Sequence, residues 1–410
     1  MIARMNESEK WQKKFEISST FTPSAPIDSA ALFAGRLSQV NKLINAVNQR
    51  GQHAVLFGER GVGKTSLANV LKDFLAQNNI QIVVASTNCE SSSTFQSVWK
   101  VIFAQIPLQY RQTTMGFDTT VHTTDSSVAD LLPANPSPED IRQLFEKMQY
   151  PIMVIIDEID RIQDKGTTTA IADTIKTLSD HSTNVTLILV GVADSLDHLI
   201  SEHRSIERAL VQIPMPRMSL LELQEIIDKG LTKVGMTATK QCSQRIARLS
   251  HGLPHYTHSL ALHSAQASVD RDSLEVSPED VTSAIETAIE HAQQSIVTSY
   301  HQATSSPRGN LYSEVLLSCA LAKTDELGYF PASNVRAPMT KIMGRQYDIP
   351  AFSQHLNDFC DGKRGTILQK TGHPRRYRFR FVNPLMEPFV VMKGISKKLI
   401  EADTLDALAE

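Results

Sequence analysis

Short continuous apolar runs alternate with helical-period stretches over the first half of this chain. Leu37, Val40, Leu43, Ile44 and Val47 recur at helical spacing within residues 32–48. His53–Phe57 then reads as a short apolar strand and the glycine-rich GERGVGKT follows it; residues 65–77 continue as a helix with Leu67, Val70, Leu71, Phe74 and Leu75 on one face. Residues 80–85, 152–156, 185–190 and 210–213 have the length and composition of buried strands, with helices expected over 94–106, from 138, and over 169–178. Strand, glycine turn, helix and strand in that order describe a parallel sheet with helical crossovers.

Beyond Pro216 the strand pattern stops. Ser219 opens a helix with capping-box spacing to Glu222. Further helices are expected over 239–249, 254–268 and 278–301, a small all-helical unit. The period changes again from Leu311, with helices over 311–322, 334–343 and 349–361 and then two strand-like runs, 366–370 and 376–381, around a Thr371-Gly372-His373-Pro374 turn. Three helices followed by a hairpin is the layout of a winged helix. Two stretches lack a period: the polar residues up to about Pro26, expected to be loosely ordered, and the Thr/Ser/Asp-rich residues 112–137, an insertion that is either functional or disordered. The divisions expected are a flexible segment 1–29, an α/β core 30–215, a helical unit 216–303, a winged helix 308–395 and a tail 396–410.

Composition bounds the class. The chain has 410 residues, with 41 Lys plus Arg against 44 Asp plus Glu and a formal charge of −3. At about 150 residues per domain this is two or three domains, and the balance excludes a wholly basic nucleic-acid coat. Cys89, Cys242, Cys319 and Cys360 lie far apart, without the short spacing of zinc knuckles or redox turns, and read as thiols of a reducing cytosol. The first thirty residues lack the apolar core of a signal peptide. The longest apolar runs fall well short of the roughly 20 residues that span a bilayer. A cytoplasmic protein without a membrane segment is expected.

The chemistry begins at Gly58-Glu59-Arg60-Gly61-Val62-Gly63-Lys64-Thr65, which fits G-x-x-x-x-G-K-[ST]. Glycines let successive backbone N–H groups turn inward, and the helix that follows adds its positive end. Lys64 can reach β- and γ-phosphate oxygens and the Thr65 hydroxyl can ligate Mg²⁺, so Gly58 through Ser66 are the candidate ATP-binding residues. A second signal is the apolar strand 152–156 ending in Asp157-Glu158. It puts Asp157 at the carboxyl edge of the sheet to hold Mg²⁺ through water, and Glu158 where it can polarise an attacking water.

With these motifs the chain resembles AAA+ ATPases, especially the branch of origin-recognition initiators and TniB/TnsC-like transposition ATPases, and is similar to the related STAND signalling NTPases. The resemblance runs over roughly residues 30 to 390 and implies a P-loop parallel sheet, α/β, with an all-helical lid and a C-terminal winged-helix domain. It implies that Phe33-Ala34-Gly35-Arg36 is the F-x-G-R box, with Phe33 and Arg36 at the adenine pocket. Asp194 stands where the family has a polar sensor, usually Asn, and also fits a helix cap; Arg204 or Arg208 stands where an arginine finger reaches a neighbouring subunit. Gly252-Leu253-Pro254-His255 is similar to the lid sensor motif, with His255 replacing its arginine. A homo-oligomeric, Mg²⁺-dependent ATPase is implied, with hydrolysis slow or partner-stimulated.

Residues 361–380 carry seven cations against Asp361, a local charge of +6 that leaves −9 elsewhere. Arg376, Arg378 and Arg380 alternate with Tyr377, Phe379 and Phe381, giving a strand one basic and one apolar face. Lys370, Arg375, Arg376 and Arg378 are the candidate contacts to double-stranded DNA. The helix before them offers Gln354, His355 and Asn357 but no Arg or Lys, so phosphate contact is favoured over base reading. The expected function is an ATP-hydrolysing switch that binds DNA and loads or regulates an unidentified partner protein. The alternative is a signalling ATPase whose winged helix folds back on the motor or binds a protein.

Overall fold

The computed structural model describes residues 5–26, 33–77, 81–113, 119–148, 150–192, 204–306, 310–325, 327–374 and 376–401. Helices α1 to α6 are Glu7–Thr20, Leu37–Val47, Lys64–Gln77, Phe95–Ala104, Pro138–Glu146 and Lys165–Asp180. Strands β1 to β7 are His53–Phe57, Val83–Asn88, Pro107–Thr113, Thr119–Ser127, Ile152–Asp157, Val185–Gly191 and Leu210–Pro214. Five of these strands form one sheet in the order β2-β5-β6-β1-β7, and every neighbouring pair is parallel.

Strand alternation divides the apolar side chains between two cores. Ala54, Leu56, Met153, Ile155, Ile188 and Val190 face α2 and α3. Val55, Val154, Ile156, Leu187 and Leu189 face α4, α5 and α6, where Trp99, Phe103 and Phe145 stack with ring centroids 5.0 to 5.7 Å apart. Both faces are covered, which is why the strands read as continuous apolar runs. The first core continues without interruption into the helical unit and the C-terminal unit, so a single apolar body joins all three.

The helical unit comprises Leu220–Lys233, Lys240–Leu249, Pro254–Asp270, Pro278–Glu290 and Gln294–Thr304. Its first helix carries the expected capping box between Ser219 and Glu222. The single helix expected over 278–301 is two helices, broken at residues 291–293. The second of them turns to bury Ile296, Tyr300 and Ala303, with Tyr300 edge-on to Phe389 at 5.5 Å. The residues at the break include neither Gly nor Pro, so tertiary packing alone dictates it.

Two segments expected to lack structure have it. The N-terminal residues form α1, closed by a reciprocal cap between Asn6 and Glu9. Ile17 and Phe21 anchor this helix in the core, and Phe21 fills the space where a side chain on Gly230 would stand. Lys10 pairs with Asp272 at 2.9 Å and Lys14 with Asp270 at 2.5 Å. Within the insertion lies β4, which pairs with β3 just before it as an antiparallel hairpin. Its commonest residue is Thr, a β-branched type that suits a strand without giving an apolar period.

The C-terminal unit has helices Tyr312–Ala320, Arg336–Met343 and Ile349–Asp358 and an antiparallel sheet of Phe330–Pro331, Arg378–Phe381 and Leu368–Thr371, with Arg378–Phe381 central. Helix Met386–Ser396 follows, and the sequence pattern gave no sign of it. It buries Met386, Glu387, Phe389, Val390, Val391 and Met392 around most of its circumference, so no amphipathic stripe marks it.

The sheet holds a titratable group at its centre. The Nδ1 atom of His53 accepts the Leu187 N–H at 3.0 Å, and burial holds this imidazole down at about 4 from an ordinary 6.5. His258 is likewise held at about 4 by burial. A folded-state value below the unfolded one means that the unfolded chain takes up the extra proton first. Each histidine's contribution is therefore complete above about pH 6.5 and is lost as pH falls toward 4, a difference of about 3 kcal/mol per group. The urea midpoint should fall between pH 7 and pH 5, and the slope of that fall should be shallower in His53→Asn. A midpoint independent of pH over this range would contradict a neutral His53.

Candidate functional site

The carboxyl ends of β1, β5 and β6 converge on one cavity of about 290 Å³. The loop after β1 supplies Arg60, Gly61, Gly63, Lys64, Thr65 and Ser66 to its wall. Gly61 and Gly63 hold φ of +86° and +90°, the left-handed backbone that turns the loop's N–H groups inward. The Lys64 ammonium donates to the carbonyls of Gly58 at 3.0 Å and Glu59 at 2.8 Å. Burial lowers its pKa, against the attraction of Asp160 and Asp157.

The two motifs meet directly. The Thr65 hydroxyl donates to Asp157 Oδ2 at 2.6 Å, across 92 positions of sequence. Asp157 is buried at the end of β5, and burial raises its pKa although the Thr65 hydroxyl and the Glu158 N–H both stabilise the carboxylate. Glu158 follows in a left-handed conformation at φ 53°, which is unusual for a residue with a side chain. Its carboxylate pairs with Arg161 at 2.8 Å and lines the cavity. Asp160, which the sequence reading did not single out, accepts the Val192 N–H at 3.1 Å and ties the ends of β5 and β6 together.

The opposite wall comes from the helical unit and from two unexpected sources. His255 lines the cavity and its Nδ1 lies 2.7 Å from the Pro23 carbonyl, with its pKa lowered by burial. His258 also lines the cavity, edge-on to Phe21 at 5.9 Å. Residues Thr22 to Pro26, the extension of α1, form part of the wall, as does Leu385 from the C-terminal unit. No motif marked either segment; the paired Pro23 and Pro26 are the only local hint of a fixed backbone.

The F-x-G-R box, Phe33 to Arg36, packs between the phosphate loop and the helical unit. Neither Phe33 nor Arg36 is on the cavity wall. The buried Arg36 guanidinium donates to the Pro216 carbonyl and to Val62 O at 3.4 Å, while its own N–H meets Glu222 at 3.2 Å. Gly35 N–H donates to Glu225 and Lys229 donates to Phe33 O. The box therefore clamps the phosphate loop to the helical unit. Glu59 is also turned away from the cavity, and its carboxylate pairs with Arg217 at 2.6 Å.

Asp194 and Arg375 lie outside the described residues, as does the side chain of Arg204. Arg208 is exposed and pairs with Asp180 at 3.0 Å, away from this chain's own cavity. On the C-terminal sheet Phe379 and Phe381 are buried while Arg376 and Arg378 are exposed, the alternation expected of a basic face. Lys370 sits 4.6 Å over the Tyr377 ring and donates to Asn357, and Arg378 pairs with Asp325.

A model of the AAA domain family matches residues 47–200, from the end of α2 to just beyond β6. No curated protein matches the chain by sequence. Among solved structures, the Aeropyrum pernix ORC2 protein, in ADPNP–ADP complexes, aligns over 95% of this chain and 96% of its own at 13% identity, with a TM-score of 0.50. The Walker-type ATPase paby2304 of Pyrococcus abyssi aligns over 90% and 99% at 14% identity, also with a TM-score of 0.50. Cdc6p from Pyrobaculum aerophilum aligns over 93% and 99% at 16% identity, with a TM-score of 0.46. The fold is that of P-loop AAA+ proteins.

Arg36 thus separates a packing role from a ligand-binding one. Arg36→Ala leaves the Val62 and Pro216 carbonyls without their donor and should cost about 1–3 kcal/mol of stability. Urea unfolding with and without nucleotide checks this: the loss should be of similar size in both. A loss confined to the nucleotide-bound protein would return Arg36 to the adenine pocket.

Proposed function

We propose that the chain is a Mg²⁺-dependent ATPase switch of the AAA+ type that oligomerises and binds duplex DNA through a C-terminal winged helix, loading or regulating a partner protein there. The observation that carries the reading is the 2.6 Å contact between Thr65 and Asp157, which joins a phosphate loop to a strand-end carboxylate. This pair fits Mg²⁺, a hard cation that takes oxygen ligands and keeps waters and phosphate oxygens in its remaining positions. Among the described residues no group of three His, Cys, Asp or Glu could hold a metal, so a cation here depends on phosphate as co-ligand. Bound there, Mg²⁺ would neutralise charge on the β- and γ-phosphate oxygens.

The chain's own residues do the rest. Backbone N–H groups of the glycine loop and the N-terminus of α3 bind the phosphates. Lys64 exchanges its two carbonyl partners for phosphate oxygens, a favourable exchange for an ammonium largely out of water. Glu158, on the cavity wall beside Asp157, orients the attacking water and takes its proton. Asp194 is the candidate sensor of the γ-phosphate. Arg204 or Arg208 is the candidate finger supplied to a neighbouring copy, which ties hydrolysis to assembly.

For DNA the exposed Arg376 and Arg378, with Lys370 and Arg375, are the phosphate contacts. Gln354 is hydrogen-bonded to Asp358 and Asn357 to Lys370, so helix Ile349–Asp358 has little polar surface left to read bases. Backbone-directed, sequence-tolerant binding is the consequence. A second reading, closer to STAND or TniB/TnsC-like proteins, makes the C-terminal unit an intramolecular module; the seating of Leu385 on the cavity wall favours it.

Lys64→Ala should weaken ATP binding by tenfold or more, on the order of the loss of a charge-assisted contact. Glu158→Gln should keep binding and stall turnover, as a coupled phosphate-release assay would read. Arg376→Ala with Arg378→Ala should reduce DNA retention and flatten its decline with salt. Wild-type protein without ATP affinity would sink the first claim; DNA retention insensitive to salt and to these variants would sink the second.

A further inference from the structure

Arg217 lies between β7 and helix Leu220–Lys233, where the sheet gives way to the helical unit, and its side chain is only 19% exposed. It is placed between two carboxylates from distant parts of the fold. Its Nε donates to Glu59 Oε2 at 2.6 Å, and its two terminal nitrogens donate to Glu387 at 2.5 and 2.9 Å. Glu59 is the second residue of the phosphate loop, and its carbonyl is one of the two that hold Lys64. Glu387 is in the first turn of the last helix of the C-terminal unit and is 3% exposed. Both carboxylates therefore depend on one guanidinium out of water.

The C-terminal unit reaches the loop in two further ways. Leu385 lines the nucleotide cavity, passes 3.3 Å from where a side chain on Gly61 would begin, and is fixed by the Tyr256 hydroxyl on its carbonyl at 2.8 Å. The Gly328 turn packs against the other side of Glu59: a Cβ on Gly328, at φ +77°, would stand 2.1 Å from Glu59 Oε1. Glu59 is gripped from both sides, by an ion pair and by a turn that admits no side chain.

We propose that the C-terminal unit is the gate of the nucleotide cavity and that Arg217 is the positioning residue that latches it, through Glu387, to the phosphate loop. This rests on the reading of the cavity as a nucleotide site. While latched, the unit keeps Leu385 in the wall and slows exchange of nucleotide. Unlatching withdraws Leu385 and loosens Glu59, so exchange accelerates. By linkage, whatever the basic wing grips in the unlatched position promotes exchange, and nucleotide in turn alters that grip.

The test uses the full chain with Mg²⁺ and a fluorescent N-methylanthraniloyl ADP, chased with ADP in a stopped-flow instrument. It compares wild type with Glu387→Gln, which keeps shape and removes charge, and with Gly328→Ala, which pushes on Glu59 directly. Hydrogen exchange of residues 58–66 and 386–396 is followed on the same proteins without nucleotide. Release should be faster by about tenfold or more in both variants, within the usual range of coupling between sites. Exchange should rise in both segments while the sheet stays protected. Faster exchange at 386–396 with release within about twofold of wild type would show that the unit is no gate. Unchanged exchange and release in both variants would show that Arg217 is no latch. Should Glu387→Gln not fold, Gly328→Ala carries the same comparison. Failure of wild type to bind the probe would overturn the nucleotide reading, and with it the gate; hydrogen exchange would then still decide the latch.

Discussion

One guanidinium with two carboxylates, almost entirely out of water, holds the three parts of this molecule in register. Ion pairs at a surface contribute about 0–1 kcal/mol and constrain little. Here Glu59 and Glu387 are 8% and 3% exposed, so each would be an uncompensated charge without Arg217. Removing one partner of such a buried set costs about 3–5 kcal/mol. The two ion pairs raise the Arg217 pKa in spite of the desolvation that opposes them, so the guanidinium stays charged under any folded condition. The set nonetheless holds one more carboxylate than cation, and Glu59 Oε1 is buried without a hydrogen-bond partner. A purely structural staple would be served better by apolar packing. An underpaired polar contact beside a phosphate loop suits an element that can let go.

The same logic explains why the site is assembled from so many segments. A parallel sheet gathers its strand ends at one edge, and every strand contributes a different loop there. β1 brings the phosphate loop, β5 brings Asp157 and Glu158, and β6 brings Gly191 and Val192. The far wall must come from elsewhere, and it is built by His255, by the extension of α1 and by Leu385. Lys64 illustrates the electrostatic result. It is largely desolvated, with carbonyls as its hydrogen-bond partners and Asp157 and Asp160 close enough to act on its charge. An ammonium held in this way gains on exchanging neutral carbonyls for charged oxygens.

Much of this was legible in the sequence because it rests on local rules. Five apolar runs gave the five strands, with β2 displaced to Val83–Asn88 from the expected 80–85. Ser219 with Glu222 marked a helix start that the structure keeps. The spacing of Lys64, Thr65 and Asp157 gave the site's core. What escaped was long-range. The helix α1 is polar over most of its surface, with Trp11 and Phe15 exposed, and its buried apolar anchors are Ile17 and Phe21. Helix Met386–Ser396 is too uniformly buried to show a period. Arg36 and Arg217 lie in short connecting segments, and no local rule says which carbonyls or carboxylates the fold will bring to them.

The C-terminal sheet shows how far charge counting goes. Seven cations within residues 361–380 looked like one basic surface, but the fold distributes them. Arg364 donates to the Ser305 carbonyl and lies 3.9 Å over the Tyr312 ring, which fixes it against the helical unit. Arg380 lies 4.5 Å over the Tyr329 ring. Arg378 faces Asp325, and Lys370 faces Asn357 and Tyr377. These cations are held by planar rings, neutral oxygens and one carboxylate, contacts that orient a side chain without neutralising most of them. An oriented cation loses less conformational entropy when it meets a phosphate than a freely rotating one. The formal charge of −3 for the whole chain therefore conceals a preordered basic edge, and that edge belongs to the same unit whose last helix closes on the phosphate loop through Glu387.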